Sequence, residues 1–156
     1  YKVNPPLRPR EDVLALRAGL ADGTIDAVAT DHAPHARQDK EHAFADAAFG
    51  MLGLETALAV VTTTMVADGP FGWDDVARVM STTPARIAGL GGQGRPLAAG
   101  EPANLVLVDP TAQVTVDRDA SRSTSRNNPW HGRTLTGAVR ATVLRGVVTH
   151  RDRPGG

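Results

Sequence analysis

Cysteine is absent from this 156-residue chain, which excludes disulfides and thiolate metal sites. Aromatic residues make up only 4% of it. No apolar run is long enough to cross a bilayer, and no signal peptide stands at the start; the expectation is a soluble, cytoplasmic protein. Net charge is also missing, but the zero hides an asymmetry. Residues 1–88 hold 8 Lys/Arg against 12 Asp/Glu, and residues 89–156 hold 9 against 5. The arginines of the basic half (Arg118, Arg122, Arg126, Arg133, Arg140) are scattered and not clustered with aromatics. That pattern reads as a solvated or domain-facing surface, not a nucleic-acid site. An initiating methionine is lacking too. The chain opens at Tyr1 in apparent mid-element, as expected of a processed protein or a piece of a larger one.

What is present centres on Ala29-Thr30-Asp31-His32-Ala33-Pro34-His35. Ile25–Thr30 is short and mostly apolar and reads as a strand buried on both faces. It runs into a carboxylate, two imidazoles and a proline that stops the strand. In α/β proteins, chemistry sits on loops just past the carboxyl ends of such strands. Asp and His are the side chains that bind metals and move protons near neutral pH. Asn4 stands in a comparable place, at the end of Tyr1–Val3 and held extended by Pro5. It reads either as a ligand-facing amide or as a turn Asn bonded to its own backbone.

Pro9, Glu11 and Asp12 open a helix whose buried face is Val13, Leu16 and Leu20, ended by Asp22-Gly23. Strand, helix and strand make a βαβ unit. Residues 36–49 form a polar loop long enough to act as a lid or binding loop. Leu54, Leu58, Val61 and Met65 recur at helical spacing, and the Thr62–Thr64 run weakens the end of that helix. Asp74 caps a shorter helix, and Thr83-Pro84 starts another that Gly89 stops. A Gly/Pro-rich connector then leads to β signals. These are a buried strand at Leu105–Val108, an alternating one at Gln113–Val116, and a hairpin of Val139–Leu144 and Val147–His150 turning at Arg145-Gly146. Between them, residues 117–133 are polar and irregular.

With these pieces in order, the chain resembles the C-terminal part of the bacterial class I dihydroorotases, in the amidohydrolase superfamily. The matching residues are Lys2-Val3-Asn4-Pro5-Pro6-Leu7-Arg8, Gly23-Thr24-Ile25-Asp26, Thr30–His35, Phe49-Gly50-Met51-Leu52-Gly53-Leu54-Glu55-Thr56-Ala57, Thr83-Pro84-Ala85-Arg86, Gly100-Glu101-Pro102-Ala103-Asn104-Leu105 and Asn127-Asn128-Pro129-Trp130. The resemblance implies an α/β fold, the C-terminal part of a (β/α)8 barrel plus part of a small β-sandwich. Residues 1–88 would belong to the barrel and 89–156 to the linker and sandwich strands. It implies zinc-dependent, reversible cyclisation of N-carbamoyl-L-aspartate to L-dihydroorotate in pyrimidine synthesis. Most metal ligands of the family lie upstream of where this chain begins.

By that resemblance Asp31 is the catalytic proton carrier and a zinc ligand. Asn4 and His35 hold substrate, and Phe49-Gly50 offers backbone groups to the ring. Phe49 could instead pack the lid, and His35 could be a loop histidine bonded to backbone. His32 reads as a structural neighbour, and His42, His131 and His150 as exposed or sandwich histidines. Asn127–Trp130 reads as packing between sandwich and barrel. The implied partners are the small-molecule substrate, a second copy in a homodimer, and aspartate carbamoyltransferase, with neither nucleic acid nor membrane. The competing functions are a related cyclic amidohydrolase, of allantoinase or hydantoinase type, and a non-catalytic dihydroorotase-like scaffold subunit.

Overall fold

The computed structural model describes residues 1–152; the last four positions of the expected second unit lie outside them. Helix α1 (Arg10–Asp22) follows an extended Pro9, carries Glu11 and Asp12 in its first turn, and closes on Gly23 at φ 86°. Acidic groups meet the positive helix end, and glycine takes the left-handed conformation without strain. The expected buried face is only partly buried. Leu20 is in the core and Val13 half-buried, but Leu16 is 56% exposed, so α1 meets the core through its C-terminal end.

Ile25–Thr30 is extended but forms no strand ladder among the described residues. Its Val28 N–H donates to Val79 O, and the next pairing is a single parallel bridge of His32 with Met51. A strand exists by virtue of its neighbours, and this segment has one beside it only at its end. It is half-exposed instead of buried on both faces, with Ile25 and Val28 against the core.

The core is Leu20, Val61, Met65, Phe71, Val76 and Val79. Helix α2 (Arg37–Lys40) is a single turn inside the 36–49 loop. Helix α3 (Ala57–Val61) widens into a π-helical stretch, Thr62–Ala67. The reason lies in the threonine run. The Thr62, Thr63 and Thr64 hydroxyls donate back to carbonyls three or four residues earlier and compete with the helix ladder. Leu54 precedes this helix and is 61% exposed, outside the expected apolar stripe. Helix α4 (Trp73–Ala77) runs through a π segment, Arg78–Thr82, into α5 (Thr83–Ile87). Its cap is Gly72, whose N–H donates to Asp75 Oδ2 at 3.0 Å. Asp74 therefore sits inside the first turn and is not the cap.

Strands β1 (Leu105–Thr115), β2 (Thr134–Leu144) and β3 (Val147–Arg151) form an antiparallel sheet in that order. The two expected segments of β1 are one strand with an irregularity between Asp109 and Gln113. Pro110 stands there with no N–H to give, and Asp109 Oδ1 accepts from the Thr111 and Ala112 amides. Arg145 and Gly146 both have positive φ, as a tight hairpin turn requires. Leu105–Val108 is not buried: Val106 and Leu107 are each about half exposed. Sheet and helices meet through polar contacts. Thr62 Oγ1 donates to Thr136 O, and the Thr136 N–H donates to Thr63 Oγ1 at 2.7 Å. Gly137 at φ 94° lies so close that a Cβ there would fall 2.7 Å from Thr62 Oγ1.

Candidate active site

Asp31 has φ 44°, a conformation that costs a non-glycine residue energy and that collects at functional sites. Its exposed carboxylate lies at the rim of a cavity of about 670 Å³, shared with Asn4, Met51, Trp130 and Arg133. Asn4 is likewise exposed. Trp130 is half-buried, so a segment expected only to pack sandwich against barrel also walls the cavity.

His35 lines a second hollow, about 340 Å³, with Lys40, Arg118, Arg126 and Asn127. Gly50 lies beside His35 and is followed by Met51, which lines the first cavity. It is buried at φ 133°, and a Cβ there would meet the Ala33 Cβ at 2.5 Å and His35 Nε2 at 3.1 Å. Its peptide groups are already partnered: the N–H donates to Lys2 O at 2.9 Å, and the carbonyl accepts from Lys40 Nζ at 3.0 Å and Asn127 Nδ2 at 2.6 Å. Phe49 is exposed, with Lys2 Nζ 4.4 Å from its ring centre, a cation–π contact that packs the loop.

His32 Nδ1 accepts from the Gly53 and Leu54 amides at 3.1 and 3.2 Å, which makes it the hinge pin between Asp31 and the 48–54 segment. Glu55 accepts from the Ser121 hydroxyl and from the Arg122 and Ser123 amides. Burial alone would push its carboxyl up, but these donors together hold it below the usual range. Lys40 is shifted down, by burial and then by Lys2. His42 and His150 are exposed; His131 is exposed too and accepts the Arg118 amide.

Sequence reasoning missed Lys40 and Glu55, and it read Asn127 only as packing. One signal for Lys40 was visible: it is one of just two lysines in a chain otherwise basic through arginine. Among the described residues no three His, Cys, Asp or Glu side chains gather closely enough to hold a metal ion. Asp31 is one suitable oxygen ligand, and a complete donor set does not fit here. No helix among those residues is long and apolar enough to cross a membrane.

Residues 4–149 match the family model described as "Amidohydrolase family", and the chain belongs to that family. Its fold is a C-terminal α/β part of the amidohydrolase (β/α)8 barrel with an attached sheet. It is similar to a dihydroorotase of Mycobacterium tuberculosis, 58% identical over 97% of this chain and 35% of that protein. The dihydroorotase of Streptomyces coelicolor is equally similar, 58% identical over 97% of this chain and 36% of that protein. Among solved structures, the L-hydantoinase of Arthrobacter aurescens matches with TM-score 0.88 and 34% identity, over 96% of this chain and 34% of that one. The chain thus spans about a third of the length of the curated relatives it matches.

Proposed function

We propose that the full-length protein carrying this chain is a dihydroorotase, interconverting N-carbamoyl-L-aspartate and L-dihydroorotate in the cytoplasm. What supports the reading most is Asp31, a carboxylate in a strained backbone at the rim of the cavity it shares with Asn4, in a chain 58% identical to dihydroorotases. In the hydrolytic direction Asp31 takes the proton of the attacking water and delivers it to the departing ring nitrogen. Asn4 can both donate to and accept from the amide edge of the ring. His35, in a hollow with Lys40, Arg118 and Arg126, suits the carboxylate of the ring. Phe49 faces the ring by its backbone, and Gly50, whose N–H and carbonyl are already taken within the protein, serves by letting the strip approach Ala33 and His35 without a side chain. Zinc is the metal proposed. Asp31 is the ligand this chain contributes, and a catalytic site needs about three from protein.

The second reading, a hydantoinase-type enzyme, is favoured by the fold match to hydantoinases. Turnover assays on the full-length protein separate the two: dihydroorotate hydrolysed well ahead of hydantoins and allantoin supports the first, and the reverse order overturns it. A homodimer and an association with aspartate carbamoyltransferase belong to the same reading. Light scattering, with and without that enzyme, tests both.

A further inference from the structure

Residues 48–52 form a strip with two different edges. One edge pairs with backbone through the His32–Met51 bridge, where Ala33 N–H donates to Met51 O at 3.0 Å. On the opposite edge the amides go to backbone carbonyls, Ala48 N–H to Asp39 O at 2.9 Å among them, while the Ala48 and Gly50 carbonyls are met by two side chains. Lys40 Nζ donates to Ala48 O at 2.5 Å and Gly50 O at 3.0 Å. Asn127 gives its amide to Gly50 O at 2.6 Å, and its own carbonyl accepts the Leu52 N–H at 2.9 Å. Lys2 O takes the remaining Gly50 N–H. Residues 48, 50 and 52 are thus met in turn on this edge, their amides by backbone carbonyls and the Ala48 and Gly50 carbonyls by the Lys40 and Asn127 side chains.

We propose that Lys40 and Asn127 are positioning residues that supply the donors for the carbonyls of this edge, and so set the strip that carries Phe49 and Gly50 against the Asp31–His35 loop. Both line the hollow that holds His35, and the donors assigned here are the ones they spend on the strip, at Ala48 O and Gly50 O. Both act on one carbonyl oxygen, so their effects are coupled, and a loosened strip moves the ring-facing backbone while Asp31 keeps its chemistry. This rests on the dihydroorotase reading for its kinetic consequence but not for its structural one.

The test uses the full-length protein with zinc, as wild type, K40M, K40R, N127D and the K40M/N127D double variant. Amide hydrogen exchange at Gly50–Leu52 is the activity-independent readout. Exchange at least tenfold faster in K40M and N127D and restored in K40R is expected, the scale set by loss of a hydrogen bond to a charged group. With dihydroorotate, KM should rise about tenfold with kcat changed less than threefold, and the double variant should fall short of the product of the singles. If K40M fails to fold, K40L, which likewise lacks a donor, takes its place. Unchanged exchange in the single variants overturns the proposal, as does a loss confined to kcat or strictly multiplicative KM effects. A wild-type protein inactive on dihydroorotate would defeat the functional reading, and hydrogen exchange would still decide the clamp.

Discussion

Asp31 holds a backbone angle that most residues avoid, and the neighbouring loop keeps it there. His32 is tied to Gly53 and Leu54, and Ala33 to Met51. A carboxylate so held can change partners without moving its backbone, which suits a proton carrier. Asp31→Asn in the full-length protein should lower kcat about 10²–10⁴-fold, the usual worth of a general acid–base. His35→Ala should act chiefly on KM; steady-state kinetics on both variants checks the division. Gly50→Ala should destabilise the protein by about 1–3 kcal/mol through its left-handed backbone and its contact with Ala33, read by urea denaturation. Asp31 was legible in the sequence because a carboxylate ending an apolar run is a local pattern. Lys40 and Asn127 were not, since their shared partner is a carbonyl 10 and 77 residues away. Backbone acceptors leave no mark on side-chain identity.

At the scale of elements, the α1 boundaries and the Arg145-Gly146 hairpin were readable, because caps and turns are set by a few adjacent residues. Burial was not. The sequence pattern says which residues are apolar, not which neighbour covers them, so Leu16, Leu54, Val106 and Leu107 came out exposed. The π-helical widening at Thr62–Ala67 follows from hydroxyls that also bind β2, a long-range fact. Thr63→Val would leave the Thr136 N–H without its acceptor. A loss of about 1–3 kcal/mol is expected, measured as a lower denaturation midpoint with unchanged slope. The sheet carries an acid-sensitive joint as well. Arg140, then the Thr111 amide and hydroxyl, hold the Asp109 carboxyl down from 3.8 to about 2. A depressed carboxyl adds stability that is complete above its ordinary value and fades as pH falls toward the depressed one. Between pH 3.8 and about 2, wild type should therefore lose stability that Asp109→Asn lacks at every pH. Melting curves of the two proteins across that window should converge at the acid end.

For the molecule as a whole, the barrel came from resemblance and not from periodicity, since extended segments such as Ile25–Thr30 show no ladder of their own. The two outer strands of the sheet expose Val106 and Leu107 on β1 and Val147 and Val148 on β3, and unpaired edges with apolar surface invite association. The 156-residue polypeptide expressed alone should show no dihydroorotase turnover, bind zinc weakly and self-associate. Calorimetry with zinc and light scattering measure the last two. Tight stoichiometric zinc with turnover would contradict the reading of Asp31 as a lone ligand.

Strand β1 ends at Thr115 and β2 begins at Thr134, so the polypeptide joining them leaves the sheet, visits Glu55, Gly50 and Leu52, and returns. Anyone building a chimera by exchanging everything after the glycine-rich connector would graft in a foreign wall for the cavity along with the sheet. The natural seams lie at those two strand ends: residues 117–133 should travel with the helices, and a replacement sheet must keep Thr136 and Gly137 where β2 meets Thr62 and Thr63.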